Sequence, residues 1–294
     1  MRLPSAQPSP LLMKRVRWDP IAVGLEEDIG AGDITTKFFV PENLHSSARI
    51  VAREKAIVAG SQTAAEVFRR VDPSIHTDIV RIDGAEVNSG ESVIEVRGLA
   101  RSILTAERTA LNFLQHLSGI ATLTAQFVAA AANARVKILD TRKTTPGLRQ
   151  LEKAAVVAGG GANHRFGLYD MVLVKDNHIA SSYGFTELVN RIRRIRKARP
   201  KLRVELEADS LEQVRNFVEL EGVDVILLDN MTPAQMREAV ALRKNQITFE
   251  ASGGVTLEDI RRIAATGVDY ISVGALTHSP RAIDFSLEIT HVAG

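Results

Sequence analysis

Residues 136–175 read VKILDTRKTTPGLRQLEKAAVVAGGGANHRFGLYDMVLVK and combine two short apolar runs with one amphipathic segment. The runs VKILD (136–140) and MVLVK (171–175) each end on a polar residue, which is the pattern of a short buried strand. Between them, residues 147–158 have apolar side chains at helical spacing. This strand–helix–strand order predicts parallel strands joined by right-handed crossovers.

The same alternation continues towards the C-terminus. Further strands are predicted at RVELE (203–207), VILLD (225–229), ITFEAS (247–252) and YISVG (270–274), with helices over 185–197, 211–220, 233–243 and 257–266. The number of strands falls short of the eight that close a complete barrel. We therefore expect an α/β barrel that is incomplete or that borrows a strand.

The residues before this region predict a separate α/β unit. Short β-like runs at 48–51, 76–80 and 93–96 lie among turns such as Asp83-Gly84, with one helix around Glu66. Residues 104–134 predict two helices joined at Ser118-Gly119. The proline-rich residues 1–19 predict a disordered or extended tail, in which Met13 is an alternative start. The expected division is thus a tail (1–19), an N-terminal domain (20–118) and a catalytic domain (119–277), with a helix over 278–294 that packs back on the N-terminal domain.

Composition excludes several classes of protein. The chain has 294 residues, of which 45% are hydrophobic and 24% are charged, as in an ordinary globular protein of one large or two smaller domains. It has no cysteine, which excludes disulfides, thiolate catalysis, zinc–thiolate sites and iron–sulfur clusters. Its apolar runs are too short to span a bilayer, and its first residues lack the core of a signal peptide. A soluble cytoplasmic protein is predicted.

Five basic side chains are concentrated in one part of a nearly neutral protein. The formal net charge is only +2, yet residues 136–175 contain Arg142, Lys143, His164, Arg165 and Lys175. A local cationic site of this kind favours a small, highly anionic substrate over a polyanion such as DNA.

Polar or glycine residues end the predicted strands, namely Asp140, Lys175, Glu207, Asp229, Ser252 and Gly274. In α/β barrels the site lies at the carboxyl ends of the strands. A single aspartate after a strand is often only a helix N-cap, but the set, together with the flanking cations, favours a functional site.

Two groups within that set have alternative interpretations. Ser252-Gly253-Gly254 and Gly274 lie in late loops, where a phosphate site is favoured over a simple tight turn. Glu207 and Asp229 are interpreted as ligands of Mg²⁺, as groups that stabilise a developing sugar cation, or as ion partners of the nearby bases. Glu205 lies on the same face of its strand as Glu207, so the metal assignment is left open.

Several motifs together resemble the quinolinate phosphoribosyltransferase family. They are TAERTALNFLQHLSGIAT, LDTRKTTPGLR, GGGANHRFGLYDMVLVKDNHI, VELEADSLEQ, ILLDNM, EASGGV and GVDYISVGALTHS, in family order from about Glu27 to the C-terminus. One residue is inserted between the strands of Glu207 and Asp229 relative to some members of the family. The resemblance implies an N-terminal α/β sandwich and an open, seven-stranded α/β barrel.

The resemblance also implies an activity and partners. Quinolinate and phosphoribosyl pyrophosphate would give nicotinate mononucleotide, pyrophosphate and CO₂ in de novo NAD biosynthesis, with Mg²⁺. It implies a homodimer, with assembly into hexamers left open, in which Arg108 of the TAERT motif reaches into the partner's site.

Residue roles follow from the resemblance and from charge. Arginine suits planar carboxylates, so we assign quinolinate to Arg142, His164 and Arg165 with Arg108 of the partner subunit. Lys143 and Lys175 are expected to neutralise the pyrophosphate or charge near the ring, and Glu207 and Asp229 to face the ribose and Mg²⁺. The 5′-phosphate is expected to bind to Ser252, Gly253, Gly254 and Gly274. The expected catalytic residues are Lys175, Glu207, Asp229 and Lys143, since the pyridine nitrogen is itself the nucleophile.

Three other functions remain open on the sequence. They are a related phosphoribosyltransferase of the molybdenum-transport-associated group, a nicotinate phosphoribosyltransferase acting on a monocarboxylate, and a non-enzymatic phosphate-binding regulator built on a barrel. The full set of arginines favours a dicarboxylate substrate.

Overall fold

A computed structural model describes residues 18–133, 135–175, 185–244 and 246–293. The helices are α1 (Pro20–Ile29), α2 (Ile34–Phe39), α3 (Ser61–Val71), α4 (Ala100–Ala131), α5 (Arg149–Ala158), α6 (Phe185–Ala198), α7 (Leu211–Phe217), α8 (Pro233–Ala241), α9 (Ile260–Ala264) and α10 (Ala275–His278). The strands are β1 (His45–Ala52), β2 (Ala56–Ile57), β3 (His76–Ile79), β4 (Glu86–Val87), β5 (Ser92–Leu99), β6 (Lys137–Leu139), β7 (Val172–Val174), β8 (Val204–Ala208), β9 (Val225–Asp229), β10 (Thr248–Ser252), β11 (Tyr270–Ser272) and β12 (Phe285–Ala293).

The C-terminal half contains a parallel sheet in the order β6-β11-β10-β9-β8-β7. On the outer edge of β6, Ala162 forms a parallel bridge with Leu139 and takes the position of a seventh strand. Every residue of β8 is buried, as expected of a strand covered on both faces. The predicted incomplete α/β barrel is confirmed, with six strands and one bridge among the described residues.

A second, antiparallel sheet has the order β12-β1-β5-β3 and combines three strands of the N-terminal half with the last strand of the chain. Ile50 and Ile94 from this sheet are buried in one core with Phe68 of α3 and Ile103 of α4. A second domain built of a sheet and helices is therefore confirmed.

The two helices that the sequence predicts over 104–134 are one continuous helix, α4. Ser118 does not break it, because its buried hydroxyl accepts from the amide of Ala59 at 3.0 Å and donates to the carbonyl of Ala59 at 3.2 Å. Gly119 has a packing role, since a Cβ there would lie 2.1 Å from the carbonyl oxygen of Arg281. The small residues mark the close approach of another segment and not a helix end.

Helix α4 also joins the two halves of the molecule. Its first part buries Ile103 and Leu114 in the N-terminal core, and its second part buries Ile120 and Phe127 in the barrel core. None of the helices in the described ranges is long and apolar enough to cross a membrane.

The prediction of a helix over residues 278–294 is wrong. Helix α10 ends at His278, and Phe285–Ala293 is a strand that pairs antiparallel with β1. Apolar residues alternate at Phe285, Leu287 and Ile289, and β-branched residues are frequent, both of which favour a strand. The chain end therefore lies against the N-terminal domain by extending its sheet.

Candidate active site

A cavity of about 620 Å³ opens at the carboxyl ends of the barrel strands. Most of the site residues predicted from the sequence line it, namely Arg142, Lys143, His164, Arg165, Lys175, Glu207, Asp229, Ser252, Gly253, Gly254 and Gly274. Residues that the sequence reasoning did not assign to the site also line it, among them Thr141, Asn230, Glu250 and Ser272.

Two arginines form the cationic wall of the cavity. Arg142 follows β6, and its Nε is buried without a hydrogen-bond partner among the described residues. Burial lowers the pKa of Arg165, and the charge of Arg142 lowers it further. Two guanidinium groups that repel each other in this way favour the binding of an anion between them.

The loop that carries Arg142 is held from behind by Arg149 of α5. Its Nε donates to Thr144 Oγ1 at 2.9 Å, and its Nη2 donates to the carbonyl of Arg142 at 3.4 Å. The position of Arg142 is therefore set by backbone contacts as well as by the end of β6.

His164 is a buried member of the cavity wall. Its Nδ1 accepts from the amide of Arg165 at 2.8 Å, so Nε2 carries the hydrogen and donates to Glu205 Oε2 at 3.1 Å. Burial lowers the pKa of His164, although Glu250 opposes the shift, and this favours a neutral ring. Both ring nitrogens are thus used within the protein, and a direct bond to a substrate carboxylate would require one of these bonds to be released.

Glu205 and Glu250 form a carboxyl pair beneath the cavity. Burial raises the pKa of Glu205 to about 7, and burial together with Glu205 raises that of Glu250 to about 8. The Oε1 atoms of both have no conventional hydrogen-bond donor in the described part of the chain, which fits a proton shared by the pair. The period-2 pattern contained a signal for Glu250, since it lies two residues before Ser252 on the same face of β10.

His164, Glu205 and Glu250 form a possible metal-binding group. Their ligand atoms lie within 4.8 Å of one another, and no other such group of three occurs in the described ranges. Burial raises the pKa values of both carboxyl groups, and a bound cation would lower them.

Lys175 and Glu207 form an ion pair at the carboxyl ends of the neighbouring strands β7 and β8. Lys175 Nζ donates to Glu207 Oε2 at 2.8 Å. The lysine side chain is 48% exposed, whereas that of Glu207 is 10% exposed. The lysine side chain is therefore half-exposed at the cavity, while the carboxylate is nearly buried.

The loop after β10 brings main chain close to the cavity. Gly253 has φ +98°, and a Cβ there would lie 2.1 Å from Asn230 Oδ1. Asn230 in turn donates from its backbone amide to the carbonyl of Ser252 at 2.9 Å and from Nδ2 to Asp229 Oδ2 at 2.9 Å. Glycine at 253 is required both by the backbone conformation and by this contact, which joins the loop to the carboxylate of Asp229.

Gly254 and Gly274 complete the glycine-bearing side of the cavity. A Cβ on Gly254 would meet nothing within 4 Å, so its backbone is open to a ligand. A Cβ on Gly274 would lie 3.0 Å from Cδ of Lys143, whose carbonyl accepts from Thr277 Oγ1 at 2.7 Å. Lys143 is therefore seated on the loop after the last barrel strand.

Arg108 lies apart from this cavity. It is exposed on α4 and does not line the cavity of its own chain. The charge of Arg108 acts on the neighbouring Glu107, where it opposes the rise in the carboxyl pKa that burial causes. The structure of one chain therefore leaves Arg108 outside the cluster with which the sequence groups it.

Two family models match most of the chain. The N-terminal domain of quinolinate phosphoribosyl transferase matches residues 33–118, and its C-terminal domain matches residues 120–288. The chain belongs to the quinolinate phosphoribosyl transferase family. The family resemblance seen in the sequence and the expectation of a phosphoribosyl-transferring enzyme are confirmed.

Named relatives agree with this assignment. A probable nicotinate-nucleotide pyrophosphorylase [carboxylating] of Bacillus subtilis (strain 168) is 43% identical over 264 residues, which are 90% of each chain. The nicotinate-nucleotide pyrophosphorylase [carboxylating] of Mycobacterium leprae (strain TN) is 44% identical over 280 residues, with 92% of this chain and 96% of the relative covered. The crystal structure of NadC from Streptococcus pyogenes superposes with a TM-score of 0.86 at 39% identity, covering 92% of this chain and 96% of that one.

Proposed function

We propose that the cavity transfers the phosphoribosyl group of phosphoribosyl pyrophosphate to quinolinate with loss of CO₂, giving nicotinate mononucleotide and pyrophosphate for NAD biosynthesis. The observation that carries the proposal is the meeting of Arg142 and Arg165 in a cavity that also contains Lys143 and Lys175. Both substrates are strongly anionic, so a site of this charge lowers the cost of bringing them together.

The two arginines are proposed to bind the carboxylates of quinolinate. A guanidinium forms two parallel hydrogen bonds to a carboxylate, and the buried Nε of Arg142 has no hydrogen-bond partner among the described residues. His164 is assigned to the same subsite as a wall that shapes it, because both of its ring nitrogens are engaged. A second carboxylate distinguishes quinolinate from nicotinate, so two arginines favour the dicarboxylate.

The reaction needs no protein nucleophile. The pyridine nitrogen forms a bond to C1′ of the ribose while the bond from C1′ to pyrophosphate breaks. The ring is then cationic and accepts the electron pair of the breaking carbon–carboxylate bond as CO₂ leaves, after which that carbon takes up a proton. Lys143 and Lys175 are proposed to stabilise the departing pyrophosphate and charge near the ring, and catalysis is positioning and electrostatics.

The remaining residues are proposed to hold the sugar and its phosphate. Glu207 and Asp229 are proposed to face the ribose hydroxyls and the sugar cation that develops at C1′, and their position in the cavity lining supports this role. The 5′-phosphate is assigned to the late loops, at Ser252, Gly253, Gly254 and Gly274. The open backbone at Gly254 supports this, since main-chain N–H groups bind phosphate when no side chain intervenes.

Mg²⁺ is the proposed cofactor, held by Glu207 and Asp229. Carboxylate oxygens are the donors that this hard cation prefers, and both residues line the cavity. The chemistry of these two carboxylates suits the ion, and Lys175, which pairs with Glu207, would share that carboxylate with it. When bound, Mg²⁺ would neutralise pyrophosphate oxygens.

A homodimer is proposed to complete the site, with Arg108 of the partner subunit contacting quinolinate. Near Arg108, helix α2 exposes Ile34, Phe38 and Phe39, whose exposed fractions are 73%, 76% and 84%. Thr105 of α4 donates to Asp33, the N-cap of α2, so the apolar residues and Arg108 belong to neighbouring helices. Exposed apolar surface of this kind favours a protein interface. Assembly into hexamers and a cytoplasmic location stay predictions.

A subunit-mixing experiment tests the shared site. Arg108→Ala and Lys175→Ala homodimers should each be nearly inactive, because each lacks one group in both sites. After subunit exchange, a heterodimer has one site with neither change, and pyrophosphate release should recover. Exchange demonstrated by mass spectrometry without any recovery would place Arg108 in its own chain's site or outside the chemistry.

The choice of substrate is tested by the same release assay. Quinolinate should support turnover and nicotinate should not, since nicotinate has one carboxylate. Equal turnover of both would favour a nicotinate phosphoribosyltransferase, and tight binding of both anionic substrates without turnover would favour a non-enzymatic regulator.

A further inference from the structure

A buried ion pair lies behind the cationic wall of the cavity and does not line it. Asp140 is fully buried at the end of β6, and Lys153 of α5 is 2% exposed. Lys153 Nζ donates to Asp140 Oδ1 and, at 3.0 Å, to the carbonyl of His164. The pair therefore joins a strand end, a helix and the loop after that helix.

The carboxylate of Asp140 also accepts hydrogen bonds from the loop after α5. The amide of His164 donates to Asp140 Oδ1 at 2.9 Å. With its amide turned to satisfy both of its polar atoms, Asn163 donates to Asp140 Oδ2 at 2.6 Å and to the carbonyl of Lys153 at 3.0 Å. One buried carboxylate thus accepts from two consecutive loop residues and from a lysine.

The two segments held in this way are those that carry the arginines. Asp140 lies two residues before Arg142, and His164 lies directly before Arg165. The charge of Arg142 acts on Arg165, so the two groups repel each other when no anion is bound. A firm anchor behind them is needed to keep them at a fixed separation.

We propose that Asp140, Lys153 and Asn163 are positioning residues that fix the separation of Arg142 and Arg165 for the two carboxylates of quinolinate. The inference rests on the proposed assignment of those arginines to quinolinate. A purely stabilising role explains the pair less well, because buried ion pairs contribute little net stability compared with apolar residues of similar size. A positioning role predicts a selective loss for one substrate, which a general loss of stability does not.

The test uses two variants of different severity in the full-length protein. Asn163→Ala removes only the side-chain amide of an exposed residue, so folding is expected to be retained. The double variant Asp140→Leu/Lys153→Met removes both charges and leaves no unpaired ion. The matched controls are Asn88→Ala, at another exposed asparagine, and Lys244→Met, in the exposed ion pair of Lys244 with Glu219.

Steady-state pyrophosphate release gives KM for each substrate, and thermal melting checks folding. The KM for quinolinate should rise about 10- to 100-fold in the double variant, the factor that corresponds to losing a hydrogen bond to a charged group, and severalfold in Asn163→Ala. The KM for phosphoribosyl pyrophosphate should stay within about twofold in both, and both controls should match the unmodified protein. If the double variant does not fold, Asn163→Ala decides by itself.

A parallel rise in both KM values, or no change in either, would overturn the positioning role. Arg142→Ala in the same assay separates this outcome from failure of the proposed function. A large rise in the quinolinate KM for Arg142→Ala, with a normal KM for Asn163→Ala, would contradict the positioning role and leave the proposed function intact. A normal value for Arg142→Ala removes the assignment of the carboxylate, and the inference with it.

Discussion

Replacing Glu250 by glutamine should change how the stability of this protein depends on pH. Glu250 is 2% exposed and faces Glu205, His164 and Ser272. Burial and the neighbouring Glu205 raise its pKa from 4.5 to about 8. Between these two values the folded protein keeps the proton and the unfolded chain releases it.

The direction of the effect follows from this difference. The contribution of a carboxyl group with a raised pKa is fully present below the unfolded value of 4.5 and is lost as the pH rises through about 8. One pKa unit corresponds to about 1.4 kcal/mol, so the unfolding free energy should fall by on the order of 3 kcal/mol from pH 5 to pH 8. Glutamine cannot ionise and has a similar shape, so Glu250→Gln should remove most of this decrease.

Urea unfolding at pH 5, 6.5 and 8 and at one protein concentration measures the effect, because the stability of the proposed homodimer would depend on concentration. Glu258→Gln is the matched control, since Glu258 is exposed. The two curves of unfolding free energy against pH should lie close together near pH 5 and separate towards pH 8, where Glu250→Gln should be the more stable protein. Parallel curves for the unmodified protein and Glu250→Gln would refute the account of a protonated buried carboxyl group.

The remaining predictions concern the cavity. Arg142→Lys should weaken quinolinate binding by about 10- to 100-fold despite the retained charge, since a hydrogen bond to a charged group is worth about 1.5–3 kcal/mol. Unchanged binding by calorimetry would contradict the role of Arg142 in binding the carboxylate. Lys175→Ala should lower kcat by about 100-fold and change the quinolinate KM less, because it removes a donor that stabilises charge developing in the transition state. A normal kcat with a raised KM would instead mean that Lys175 binds the substrate and the transition state equally well. If Glu207 and Asp229 hold Mg²⁺, excess chelator should abolish pyrophosphate release and added Mg²⁺ should restore it. Full activity in the presence of the chelator would contradict the metal assignment.

Two elements show where sequence patterns mislead. Ser118-Gly119 in α4 looks like a helix boundary, because glycine and serine have low helix propensity. A small residue is instead required there by the carbonyl of Arg281, which is distant in the chain. The C-terminal residues have the alternation of a strand, but a strand forms there only because β1 provides an open edge for Phe285–Ala293.

The sequence by itself determined the alternation of strands and helices, the incomplete barrel and the residues at the strand ends. These features depend on local periodicity and on side-chain chemistry, which can be recognised along the chain. For the same reason, the sequence predicts the glycines and basic residues that line the cavity.

Only the tertiary structure decided which of these residues meet, and how their charges act. The pairing of Glu205 with Glu250, the contact of Asp140 with Lys153 and the exclusion of Arg108 from its own chain's cavity involve segments far apart in the sequence. Burial converts such contacts into shifted pKa values and firm anchors, because a low-dielectric surrounding strengthens electrostatic interactions and penalises an unpaired charge. Neither burial nor long-range proximity is contained in the local pattern of the chain.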